Sequence, residues 1–154
     1  MALKLAHFAE NAVVACTAVT PSVSVVKEQA SLLLIEHEPA ELTELVEILA
    51  AAGYRCMCST DEDSAAQCVR KLTPDLILSD TNLAGHNGVA LCERLKQTEG
   101  IAEVPVMFFS GTQIPDIIRR SHSAGGTYYL RKPCDPDVLL ELIGTALGAL
   151  RAGC

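Results

Sequence analysis

The sequence predicts an α/β fold, a doubly wound parallel sheet, on three observations. Five short apolar runs of four to six residues, each closed by turn residues, punctuate the chain from Leu32 onward. Runs of this kind read as buried strands. The segments between them carry apolar residues at helical spacing, and strands alternating with helices imply parallel pairing through right-handed crossovers. Aromatic residues make up only 4% of the chain, so the core must be built from Leu, Ile, Val and Ala, which suits helices packed on a parallel sheet.

The first strand is Leu32-Leu33-Leu34-Ile35, and it ends in Glu36-His37-Glu38-Pro39. Pro39 suits an early helical turn, and Glu41 lies near the positive end of the helix dipole. That helix covers about 40–52, with Leu42, Leu45, Val46 and Leu49 on one face and Gly53 as its stop. Tyr54 to Ser59 is the second strand, after which Thr60 or Asp61 caps a helix through Ala65, Ala66, Val69 and Leu72. The central strand, 75–80, ends in Asp80 and runs into the turn residues Thr81-Asn82-Leu83-Ala84-Gly85-His86-Asn87-Gly88. A third helix carries Val89, Leu91, Cys92 and Leu95 to about Thr98. Pro105 to Phe109 is the fourth strand, closed by Ser110-Gly111, and a weaker helix spans about 114–124. Tyr128 to Arg131 is the fifth strand, ending in Lys132-Pro133 before a last helix over about 135–150. The expected order is flavodoxin-like, 2-1-3-4-5, with its switch point between strands 1 and 3.

At 154 residues the chain is one domain's worth, with 49% hydrophobic and 20% charged residues, and is globular rather than disordered. Residues 1–30 form an appendage with conflicting signals, either a helix packing on the domain or a neighbouring subunit, as in a homodimer, or a mobile arm. Residues 31–150 form the domain and 151–154 a short tail. The net charge is −7, and because Lys4 and Lys27 cancel Glu10 and Glu28, the excess belongs to the domain. An acidic domain does not suit nucleic acid, where phosphate neutralisation supplies most non-specific affinity. The seven cysteines form no ladder of metal or disulfide spacings and read as reduced, cytosolic thiols that pack as small hydrophobes. Cys56 and Cys58 share one strand face. No apolar stretch is long enough to span a membrane, and His7, Glu10 and Asn11 interrupt what would be the core of a lipoprotein leader.

Functional groups of an open parallel sheet lie at the carboxyl ends of its strands. Here those ends carry Glu36-His37, Asp80, Ser110 and Lys132-Pro133, with glycines after Asp80, a small residue after Ser110 and Tyr129 three positions before the lysine. Taken in this order, the set resembles the receiver domain of bacterial two-component response regulators, including the chemotaxis-regulator-like members, over roughly residues 31–150. The resemblance implies that Asp80 is the phosphoacceptor, that Glu36 and Asp80 ligate Mg²⁺ and that the backbone carbonyl of Asn82 adds another oxygen. It further implies that Lys132 meets a phosphoryl oxygen, that Ser110 donates its hydroxyl to the phosphoryl group after transfer, that Tyr129 is a switch aromatic turning inward, and that Lys132-Pro133 is cis. Physical chemistry agrees: phosphoryl transfer asks for positioning and charge stabilisation, a carboxylate nucleophile and a hard cation.

The resemblance also implies partners: a histidine kinase or phosphotransfer protein as donor, and a downstream protein that reads the face made by the fourth helix, fifth strand and fifth helix. The expected role is that of a cytoplasmic phosphorelay switch and not an enzyme, either stand-alone or part of a larger protein. One position departs from the pattern. Receivers offer two adjacent acids after strand 1, whereas here the second is His37, and Mg²⁺ tolerates imidazole poorly. His37 is therefore a doubtful metal ligand; alternatively it is a cation held by Glu36 and Asp80, or it stacks at the rim. The substitution predicts weakened Mg²⁺ binding and keeps open a second function, a phosphorylation-independent pseudo-receiver acting as an interaction module. An aspartate-nucleophile phosphohydrolase does not fit, since such enzymes carry a second acid where this chain has Asn82.

Overall fold

A computed structural model describes residues 29–111 and 126–152. The strands β1 (Ser31–Ile35), β2 (Arg55–Ser59), β3 (Leu76–Asp80), β4 (Val106–Ser110) and β5 (Gly126–Arg131) form one five-stranded sheet. Its order is β2-β1-β3-β4-β5 and every neighbouring pair is parallel, as the sequence predicts. Among the described residues the helices are α1 (Pro39–Ala51), α2 (Glu62–Lys71), α3 (Gly88–Leu95) and α4 (Pro136–Ala152). The helix expected over 114–124 and nearly all of the N-terminal appendage lie outside the described residues. Among the described residues, no helix is long and apolar enough to cross a membrane.

Every residue of β1, β3 and β4 is buried, which requires cover on both sheet faces. Alternation of side chains along each strand divides them between two cores. Leu33, Ile35, Ile77 and Phe108 cluster with Ala65 and Val69 of α2 and with Leu91 and Leu95 of α3. Leu32, Leu34, Leu78, Met107 and Leu130 cluster with Val46 and Leu49 of α1 and with Leu139 and Ile143 of α4. Cys56 and Cys58 join this second core as half-buried, free thiols whose pKa values burial pushes up to about 12 and about 11. They behave as the small hydrophobes the sequence implied.

Local chemistry sets where the helices begin. Asp61, one of two candidate caps, is the N-cap of α2: its Oδ1 accepts from the Ser64 N–H at 2.8 Å, and the Ser64 hydroxyl faces back to complete a capping box. Asn87 caps α3 by accepting from the N–H groups of Val89 and Ala90 at 2.9 and 3.1 Å. Between β3 and α3 the chain forms a small feature the sequence did not announce, a two-stranded antiparallel ribbon pairing Asn82–Leu83 with His86–Asn87. Its two turn residues, Ala84 and Gly85, both have positive φ (52° and 86°), as a type I′ hairpin requires.

Gly88 is required for a steric reason. A Cβ at this position would lie 1.9 Å from the backbone oxygen of Asp80, so the start of α3 approaches the end of β3 as closely as only glycine permits. Gly88→Ala is expected to lower unfolding free energy by about 2 kcal/mol or more through this overlap. Gly144→Ala in α4, where an added methyl meets nothing within 4 Å, is expected to raise it by roughly 0.5–1 kcal/mol. Urea denaturation of both variants checks the contrast.

Candidate functional site

Strand register brings the candidate residues to one rim. Ile35 pairs with Ser79, which sets Glu36 level with Asp80; Asp80 pairs with Phe109, and Ser110 pairs with Arg131. Alternation then sorts the side chains. Glu36, Asp80 and Lys132 continue the side of Leu34, Leu78 and Leu130, which faces α1 and α4, whereas Ser110 and Tyr129 continue the side of Phe108.

The Lys132 ammonium joins the first group. Its Nζ donates to Asp80 Oδ2 at 2.7 Å and to Glu36 Oε2 at 2.8 Å, and also donates to Glu41 Oε2. The remaining oxygens are held by backbone: Asp80 Oδ1 accepts from the Asn82 N–H at 2.8 Å, and Glu36 Oε1 from the Glu38 N–H at 3.1 Å. The lysine arrives on a cis Lys132–Pro133 step, as the resemblance implied, and its own N–H donates to the Ser110 carbonyl at 2.8 Å. Nζ also lies 5.7 Å from the centre of the Phe109 ring, close enough for a cation–π contribution.

The side chain of Glu36 is only 1% exposed and that of Asp80 8%. Burial raises the Glu36 pKa above the ordinary range; hydrogen bonds from Lys132 and the Glu38 N–H oppose that rise, and the Asp80 charge adds to it. Glu41, far more open, is shifted the other way, chiefly by its hydrogen bond from Lys132. Burial works against the Lys132 charge, yet the hydrogen bonds to Asp80, Glu36 and Glu41 outweigh it and hold the ammonium protonated well above its usual range.

His37 stands beside this web. Its Nδ1 lies 3.3 Å from Glu36 Oε1 and its Nε2 3.3 Å from Glu38 Oε1. The imidazole is thus flanked by the glutamates on either side of it in sequence, not held between Glu36 and Asp80 as one expectation had it. Nδ1 is buried and finds no hydrogen-bond partner among the described residues. Ligand atoms of Glu36, His37 and Asp80 all lie within 4.8 Å of one another, close enough to share a cation. The two carboxylates fit a hard divalent ion, while the imidazole with its orphaned nitrogen is foreign to an all-oxygen Mg²⁺ shell.

Of the residues singled out from sequence, Glu36, His37, Asp80 and Lys132 are brought together. Ser110 is buried at the end of β4, and Tyr129 packs half-buried against the α2–α3 core, both on the other sheet face. Asn82 enters through its N–H to Asp80 and through a side-chain oxygen that accepts from the Gly85 N–H at 3.0 Å. Glu41 is the residue sequence reasoning missed as a member of the site. Its only signal was position, an acid in the first turn of the helix that leaves the Glu36 strand.

Over residues 32–144 the chain matches the model of the response regulator receiver domain. It is 33% identical over 118 residues to the DNA-binding dual master transcriptional regulator RpaA of a Synechocystis species, a match covering 75% of this chain and 48% of that protein. It is 28% identical over 116 residues to the phosphate regulon transcriptional regulatory protein PhoB of Pseudomonas aeruginosa, covering 75% and 51%. The chain therefore spans about half the length of these curated relatives. Among solved structures, a CheY-like receiver domain protein from Methanospirillum hungatei JF-1 shares the fold, with a TM-score of 0.77 at 21% identity over 82% of this chain and 100% of the other. The signal receiver domain of a signal transduction histidine kinase from Syntrophus aciditrophicus aligns with a TM-score of 0.70 at 28% identity, covering 78% and 91%.

Lys132→Met keeps the aliphatic stem but leaves Glu36 and Asp80 facing each other without a cation. The expected loss of stability near neutral pH is about 2 kcal/mol, below the value for a fully buried pair because Lys132 is partly exposed. In the variant the Glu36 pKa rises further, so the folded state holds a proton that the unfolded chain has lost. Stability of the variant therefore increases as pH falls from neutral toward the ordinary glutamate value of 4.5, and its deficit against wild type narrows. Urea unfolding at about pH 7 and about pH 5 measures both; a deficit that widens on acidification contradicts the assignment.

Proposed function

The chain belongs to the response regulator receiver family, and from that premise we propose that it is a phosphorylation-operated switch with Asp80 as phosphoacceptor. The observation that carries this reading is the Asp80 carboxylate at the sheet's switch point, 2.7 Å from the Lys132 ammonium, with Glu36 bound to the same ammonium. An Asp80 carboxylate oxygen attacks phosphorus, the bond from phosphorus to the donor's leaving atom breaks with its electron pair passing to that atom, and an acyl phosphate results. The chain's own work is positioning and charge: the Asn82 N–H orients the Asp80 carboxylate, and Lys132 takes on a phosphoryl oxygen. Glu36, Asp80 and the Asn82 carbonyl would hold a Mg²⁺ ion, which supplies further neutralisation of the phosphoryl oxygens.

Ser110 then donates its hydroxyl to the phosphoryl group, and Tyr129, on the same sheet face as Ser110, moves inward. Output is read by a downstream protein on the face that includes β5 and α4. The phosphoryl donor is a histidine kinase or phosphotransfer protein, and the chain acts in the cytoplasm as a signalling module rather than an enzyme. Its acidic charge argues against direct contact with nucleic acid. A second reading, a pseudo-receiver that signals without phosphate, is favoured by the imidazole of His37 where the family places an acid.

Incubation with acetyl phosphate and Mg²⁺, followed by intact mass measurement, decides between them. A single phosphoryl adduct present in the wild type and absent from Asp80→Asn supports the switch, and no adduct supports the pseudo-receiver. In the same reading His37→Asp restores an oxygen ligand and is expected to tighten Mg²⁺ binding by about tenfold in a calorimetric titration. Equal affinities would remove His37 from the metal's surroundings.

A further inference from the structure

An ammonium group has three N–H donors. In Lys132 they face Glu36 Oε2 at 2.8 Å, Asp80 Oδ2 at 2.7 Å and Glu41 Oε2, so its donors are fully taken. Any anion that binds this lysine must displace one of the three. Glu36 and Asp80 are almost wholly buried, and each has a second oxygen held by a backbone N–H. Releasing either one strands a buried carboxylate without its cation, which is strongly unfavourable. Glu41 is different. Its side chain is 47% exposed and stands on the first turn of α1, where water receives the freed carboxylate. Beside it a cavity of about 420 Å³, bordered by Glu41, Glu44 and Lys132, gives the side chain room to swing aside.

We propose that Glu41 is a built-in competitor of the incoming phosphoryl group, occupying the third donor of Lys132 at rest and yielding it when an anion arrives. The device rests on the reading of Asp80 as phosphoacceptor, but its anion-binding half stands apart from any covalent step. It also accounts for an acid whose charge otherwise only adds to a crowded acidic rim. Because Glu41 is half exposed, its hold on the ammonium is modest, and removing it is worth roughly two- to fivefold in anion affinity.

Two measurements on the full chain test this, each comparing wild type with Glu41→Ala and Glu44→Ala. Glu44 lies one turn further along α1 and lines the same cavity, so its loss removes an equal charge without freeing a donor of Lys132. The first measurement is inorganic phosphate binding followed by NMR titration; the second is the initial rate of adduct formation with acetyl phosphate. The proposal expects Glu41→Ala to bind phosphate two- to fivefold more tightly and to label correspondingly faster, and Glu44→Ala to stay near wild type. Equal phosphate binding by wild type and Glu41→Ala, undetectable binding in both included, overturns it. So does an equal gain in both alanine variants, which would mean long-range charge alone. If none of the chains is labelled, the phosphoacceptor reading fails while the phosphate titration still decides the role of Glu41.

Discussion

The Lys132 ammonium lies between carboxylates supplied by three different elements: Glu36 after β1, Asp80 at the end of β3 and Glu41 in α1. Without that cation the two buried acids would repel each other in a region where little water screens them. The rim of the sheet is therefore a compromise. It gathers negative charge at the strand ends and tolerates the gathering through one positive charge delivered from a strand far away in sequence. Opposite pKa shifts at Glu36 and Glu41 express the same compromise, since burial dominates at the first and the lysine dominates at the second.

The sheet makes this delivery possible. Parallel strands end on the same side, so acids and lysine that follow them share one rim without any long loop having to place them. Side-chain alternation adds a second level of order, with the charged cluster on the α1–α4 side and Ser110 with Tyr129 on the other. Gly88 keeps that rim tight by letting α3 press against the backbone of Asp80.

His37 marks where this chain parts from its family's pattern. An acid there would add an oxygen to a cation site; the imidazole instead lies between Glu36 and Glu38, with one buried nitrogen lacking a hydrogen-bond partner among the described residues. The lost carboxylate also lowers the negative charge that Lys132 must offset. Glu41, on the first turn of α1 and closer to solvent, is a third carboxylate on the same ammonium.

Much of the fold was legible in the sequence, because strand burial and helical periodicity are local signals. Leu32 to Ile35 and Leu76 to Ser79 read as buried strands, and Asp61 is a capping residue by type. The rim residues Glu36, Asp80 and Lys132 were legible for a related reason, since strand ends can be counted and parallel topology brings them together. The Asn82–Leu83 and His86–Asn87 ribbon was not, because Ala84 adopts a positive φ that its residue type does not announce. Nor was the part played by Glu41, which lies 91 residues from its lysine and reaches it only after α1 has docked on the sheet. Sequence by itself determined which elements form and which residues stand at their ends. Tertiary structure alone decided how the ammonium is shared, because hydrogen bonds between distant side chains depend on packing distances that no local pattern encodes.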